Sequence, residues 1–362
     1  MTSSIRLAQE HTPFIDMSWL YAHVNDPDVV IIDVRFALND PTYGYKAYKN
    51  GHIPGALFMD LEKDLSAPPH AHGGHGGRHP LPEAHVFVRR LGELGIGPAQ
   101  AVVIYDDHAG GFAARLWWML KAIGHEKVFI LNQGFSAWEG AGYPVEKGIG
   151  RFGARHATGH VHADPASMTD YVNNDAGRTA DHIQNAKGSG TFDRDDDHDM
   201  RHSKDYAQLL GAGKEFTYQH MPVADVHFIR EVALAKSRPA LLIDARDEKR
   251  YLGEIEPIDP VAGHIPGAVN IFYQSLLSPE TNALGDLDYL NKALVAHLPE
   301  TFRNNASERP IICYCGSGVT STALVAAFYA LGYNHVYLYP GSYSDWVSYG
   351  EHPIARARHT FG

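Results

Sequence analysis

The chain is poor in cysteine: only Cys313 and Cys315 occur in 362 residues, and one tyrosine separates them. A bridge between residues so close would be strained, and two cysteines cannot frame a disulfide scaffold, so each is read as a thiol. Positive charge is scarce too, with 31 Lys and Arg against 42 Asp and Glu and a net charge of −11. No long basic stretch with interleaved aromatics is present, which argues against nucleic acid as a partner. An anionic small substrate would need a local cationic site. No apolar run approaches the roughly 20 residues that span a bilayer, so no membrane partner is expected. The opening MTSSIRLAQEHTPFIDM lacks the basic-then-apolar order of a signal peptide, and the expected location is the cytoplasm.

What the chain does have is a duplication. IIDVR at 31–35 returns as LIDAR at 242–246, and GHIPGA at 51–56 returns unchanged at 263–268. VVIYDDHAGG at 102–111 parallels IICYCGSGVT at 311–320, and AIGHEKVFILNQGFSAW at 122–138 parallels ALGYNHVYLYPGSYSDW at 330–346. Four matches in the same order at nearly constant separation define a repeat. In each half short β-branched runs alternate with apolar helical stretches, the pattern of a parallel sheet flanked by helices. The expected organisation is an α/β fold of two tandem domains, at 1–148 and 221–362. Between them, 149–220 is polar and aperiodic and reads as a flexible connector.

Ligands of open parallel sheets sit beyond the carboxyl ends of the strands, and Cys315 stands at such an end. The six residues Cys315, Gly316, Ser317, Gly318, Val319 and Thr320 lead from a strand into a helix. Backbone N–H groups converge at such a junction, and the glycines let the chain curl around a sulfur anion. Ser317 and Thr320 add hydroxyls. The loop therefore suits a nucleophilic thiolate or an anionic persulfide, whereas Cys313, inside the strand, reads as structural. A cysteine phosphatase would need an arginine six residues after the nucleophile, but Ser321 stands there and no arginine occurs between Cys315 and Ala355. In the first half Asp106 replaces the cysteine. A carboxylate cannot carry sulfane sulfur, so that domain is expected to be catalytically silent.

The repeated halves, the Asp-x-Arg and GHIPGA segments and the CGSGVT loop together resemble the rhodanese superfamily of two-domain sulfurtransferases. The loop is similar to that of members using 3-mercaptopyruvate, whereas thiosulfate users usually carry C-R-K-G-V-T. The resemblance implies two tandem rhodanese-like domains and sulfur transfer through a Cys315 persulfide. The partners it implies are a small-molecule sulfur donor and a thiol, cyanide or thioredoxin-like acceptor, with no cofactor. It also implies that Arg250, in Arg250-Tyr251, binds substrate while Arg246 is structural. A second arginine is usual just before GHIPGA, where this chain has Ile258, so donor affinity is expected to be weakened. Asp60, and His79 of the segment HPLP, match positions that in the mercaptopyruvate branch form a polar relay with the serine of the loop, here Ser317. The histidine- and glycine-rich segment 70–79 is otherwise read as a mobile loop rather than a metal site. Arg115 is expected to be a structural ion-pair partner, and His52 and His264 to bond to the backbone of their own domains.

Overall fold

The computed structural model describes residues 12–70, 73–150, 206–211, 213–303 and 309–357. The N-terminal sheet comprises β1 (Phe14–Ile15), β2 (Val29–Asp33), β3 (Leu57–Phe58), β4 (Ala101–Tyr105) and β5 (Val128–Leu131). All pairings are parallel, in the order β1-β5-β4-β2-β3. Helices α1 (Met17–His23), α2 (Tyr43–Asn50), α3 (Ala84–Glu93), α4 (Ala113–Ala122) and α5 (Gly134–Gly140) form the connections.

After α6 (Tyr206–Gly211) and α7 (Val226–Leu234), the second sheet is built from β6 (Leu241–Asp244), β7 (Val269–Asn270), β8 (Ile311–Tyr314) and β9 (Val336–Leu338). It is again parallel, in the order β7-β6-β8-β9. Its helices are α8 (Glu248–Tyr251), α9 (Leu287–His297), α10 (Ser321–Ala330) and α11 (Ser342–Ser348). Val223 makes one parallel bridge to Leu338, in the place that β1 takes beside β5. The duplication in sequence is thus a duplication of architecture.

Strands β1, β2, β4, β5, β6 and β8 are buried from end to end, and the period of two divides each sheet's residues between two cores. Val30, Ile32, Val102 and Ile104 face one core, whereas Val29, Ile31, Val103 and Tyr105 face another. In the second sheet Leu241, Ile243 and Cys313 join the first of these cores, while Leu242, Ile312 and Tyr314 pack on the far side. One core is therefore shared by both domains. At about 1.5–3 kcal/mol for each large apolar side chain buried, this shared face is a substantial link between them. Helices α4 and α10 belong to it, with Trp117 edge-on to Tyr329 at 5.4 Å. The STALVAAFYA helix is apolar nearly all round, in keeping with its burial over all but the last two residues.

Of the stretch expected to be a flexible connector, residues 151–205 lie outside the described residues. The described remainder differs from that expectation, because it packs on the N-terminal domain. Tyr206, Leu209 and Phe216 are buried, the Tyr206 hydroxyl lies 2.9 Å from His125 Nδ1, and the Tyr218 ring meets Phe87 and Trp118. These apolar residues are spaced too irregularly to show as a periodic element.

Candidate active site

Strand β8 is central in its sheet and ends at Tyr314, so Cys315 emerges at the carboxyl edge, directly before the loop that opens α10. The loop is held from beneath. Cys315 N–H donates to Ser342 Oγ at 3.1 Å, while its carbonyl accepts from Tyr343 N–H at 3.0 Å. The Gly316 carbonyl accepts from Ser344 N–H at 2.9 Å. Ser342 itself has φ +54, a left-handed backbone uncommon for serine, and its hydroxyl donates to the Tyr339 carbonyl.

Gly318 is required by geometry. Its φ is +75, and a Cβ there would lie 2.0 Å from the Pro340 carbonyl oxygen. Gly318→Ala is expected to lower the melting temperature, since the backbone alone costs about 1–2 kcal/mol, and to cut activity severely by pushing the loop off Pro340. An unchanged melting temperature would show that the loop relaxes freely.

Cys315 is buried. Burial works against its thiolate, but the hydroxyls of Thr320 and Ser321 and the N–H groups of Ser317 and Ser321 outweigh it, holding the thiol below its ordinary value. At Cys313 burial, with the neighbouring sulfur, pushes the thiol far up. Both cysteines are free thiols.

The N-terminal domain shows what this loop geometry holds. There the Asp106 carboxylate accepts from the N–H groups of His108, Gly110, Phe112 and Ala113 at 2.7–3.0 Å. The same strand-to-helix junction carries a carboxylate in one domain and a sulfur in the other. Backbone N–H groups converge on the acidic side chain in both.

Of the residues expected to form a relay, two meet. His79 Nδ1 lies 2.8 Å from Ser317 Oγ, across the domain interface. Burial, with Arg115 and Arg78 nearby, pushes the His79 imidazole down to about 3, so the ring is neutral at physiological pH. Asp60 does not join them. Its carboxylate accepts from the N–H groups of Glu62 and Lys63 and closes its own turn. The tightness of that turn was not visible in the sequence.

Arg250 donates to Glu256 at 2.8 Å and to Asp259 at 3.1 Å. Its guanidinium also overlooks the loop: a Cβ on Gly316 would lie 3.5 Å from its Nη2. Beside it is a residue the sequence reading passed over. Arg78 Nη2 would be 2.9 Å from that same Cβ, and Arg78 Nη1 pairs with Asp259 Oδ1. The cation absent at Ile258 is therefore matched by one from the other domain. Its signal was its place next to His79, hidden in a segment read as a mobile loop. That segment is in fact docked: Gly76 N–H donates to Asp345, Arg78 N–H donates to Ser344 Oγ, and His75 stacks on Tyr349 with Nδ1 2.7 Å from Ser348 Oγ. Residues 71 and 72 lie outside the described residues.

Arg246 is held in its own domain by Asp244, Glu256 and the Gly263 carbonyl, just as Arg35 is held by Asp33 and the Gly51 carbonyl. His52 and His264 bond through Nδ1 to the carbonyls of Tyr48 and Tyr251. Arg115 differs from its expectation. Its partners among the described residues are three carbonyls, of Leu65, His79 and Gly318, with no carboxylate.

A buried thiol held below its ordinary value at the end of a parallel strand, in the second of two like domains, fits a two-domain cysteine transferase. The sequence matches the rhodanese-like domain family over residues 16–141 and again over 230–349, and the chain belongs to that family of sulfurtransferases. It is 33% identical over 340 residues to a probable 3-mercaptopyruvate sulfurtransferase of Pseudomonas aeruginosa, covering 93% of this chain and 95% of that one. It is also 33% identical over 331 residues to the putative thiosulfate sulfurtransferase SseB of Mycobacterium tuberculosis, covering 91% and 92%. Among solved structures, the 3-mercaptopyruvate sulfurtransferase SseA of Escherichia coli superposes with a TM-score of 0.59 at 26% identity, covering 92% of this chain and 99% of that one. No helix among the described residues is long and apolar enough to cross a membrane.

Proposed function

We propose that the protein moves sulfane sulfur from 3-mercaptopyruvate, through a persulfide on Cys315, to a thiol, cyanide or thioredoxin-like acceptor. The observation that carries this reading is the buried Cys315 thiol held below its ordinary value by the loop's own donors. The thiolate attacks the donor sulfur, an S–S bond forms and the C–S bond breaks. The departing carbon leaves as the enolate of pyruvate and takes up the proton the donor thiol gives up. The persulfide anion stays in the cradle until the acceptor thiolate attacks its outer sulfur and regenerates Cys315. Ser317, held by the neutral His79, is the hydroxyl placed to hydrogen-bond a donor oxygen beside the sulfur. Arg78 and Arg250 are the cations available to the donor carboxylate.

Thiosulfate is the second reading, favoured by the same two cations facing Gly316. A persulfide carrier loaded by another enzyme would use the same cradle but turn over poorly. Steady-state assays with cyanide as acceptor and each donor in turn separate the three. Turnover with mercaptopyruvate above thiosulfate supports the proposal; sulfur loading without turnover supports the carrier. The proposed compartment is the cytoplasm, where a reducing environment supplies thiol acceptors and keeps both cysteines free.

A further inference from the structure

Arg115 is completely buried, lies on α4 of the silent domain and reaches across the interface, donating from Nη1 to the Gly318 carbonyl at 3.1 Å. Nη2 donates to the carbonyls of Leu65 and His79 at 3.2 and 3.0 Å, and Nε has no partner among the described residues. Carbonyl dipoles satisfy donors but do not neutralise a charge. A buried guanidinium without a carboxylate is costly unless an anion stands close by.

We propose that the counter-anion of Arg115 is the sulfur of Cys315, as thiolate and as persulfide, and that Arg115 is a positioning residue through which the silent domain completes the active site electrostatically. The inference rests on Cys315 being the nucleophile. Gly318 is the loop residue in the left-handed conformation, so the bond to its carbonyl fixes the part of the cradle where the chain reverses. The other titratable groups around the sulfur leave the role open. Burial keeps Cys313 and Tyr218 protonated and pushes Tyr273 up to about 12, and His79 is neutral. Arg78 and Arg250 sit over Gly316 but are already paired with Asp259. Among the described cations around the loop, Arg115 is the one paired with no described carboxylate. Burial pushes it down to about 10, with Tyr218 and then Cys315 acting in the opposite direction. The direction of the Cys315 contribution is the one the proposal requires.

The test is the pH profile of Cys315 alkylation by iodoacetamide, with melting temperature measured alongside, in Arg115→Gln and Arg115→Lys. Glutamine keeps a donor for the Gly318 carbonyl but removes the charge; lysine keeps the charge. Arg115→Gln is expected to move the thiolate titration up by about one pH unit or more, a roughly tenfold loss of thiolate below the midpoint, while Arg115→Lys stays near the unmodified profile. A glutamine profile that coincides with the unmodified one, with only the melting temperature reduced, would overturn the proposal and leave Arg115 a strut. Should neither variant fold, Cys315→Asp is compared with Cys315→Asn. The proposal expects the aspartate form to melt higher at pH 7, and an asparagine form equal to it or better overturns the proposal. No readout requires sulfur transfer, so failure of the proposed reaction remains distinguishable from failure of this assignment.

Discussion

Cys315→Ser is expected to reduce sulfur transfer by roughly a thousandfold or more while leaving the fold intact. The hydroxyl is close in size to the thiol and keeps the cradle filled. It is not ionised near neutral pH and cannot hold sulfane sulfur. Cys313→Ser should retain most activity, because Cys313 lies on β8 with its side chain in the shared core. The pH behaviour of the two thiols follows the same division. Cys315 is held below its ordinary value, so its reactivity with alkylating agents should persist as pH falls under that value and be lost only through the lower folded one. Cys313 is pushed far up and should stay inert across this range. Mass spectrometry after donor treatment should find one added sulfur, on Cys315. Sulfur found on Cys313 alone would overturn the assignment.

The sequence made the fold legible because duplication is visible without coordinates. GHIPGA at both 51–56 and 263–268, and the parallel of VVIYD with IICYC, set the two sheets in correspondence and put Asp106 opposite Cys315. The loop itself was equally legible, since glycines at a strand-to-helix junction have a local meaning. Residues whose roles depend on the other domain were not. Arg78 lies in a glycine- and histidine-rich stretch that looks mobile in isolation and becomes fixed only by docking on Ser344 and Asp345. Arg115 could be assigned a missing carboxylate because arginines usually have one; only the packed interface shows carbonyls instead. Asp60 failed in the opposite sense. Its place in the sequence suited a relay, but two N–H groups of its own turn are nearer partners than any group in the other domain. Local chemistry was readable, whereas chemistry assembled across the interface was not.

In the proposed reaction the donor preference turns on the two arginines over Gly316. Asp259 accepts from both, so one carboxylate bridges the pair, and a donor carboxylate must share or displace it. Burial, with Glu256 close by, raises the Asp259 carboxyl even though both cations oppose the shift. Mercaptopyruvate carries its carboxylate two carbons from the sulfur, which suits a sulfur at Cys315 and cations above the next residue. Thiosulfate concentrates its charge next to the sulfur, where the loop supplies backbone dipoles. Arg250→Ala and Arg78→Ala should therefore each lower the specificity constant for mercaptopyruvate by roughly tenfold to a hundredfold, the value of one charge-assisted contact of about 1.5–3 kcal/mol. The loss for thiosulfate should be smaller in both variants. Asp259→Asn, which removes the competing charge, should lower the KM for mercaptopyruvate. The measurement that decides is the ratio of specificity constants for the two donors in the unmodified protein and in each variant. A ratio favouring thiosulfate from the start, or equal losses for both donors on removing either arginine, would mean that the cations serve the sulfur-bearing anion in general and that the second reading of donor choice is the right one.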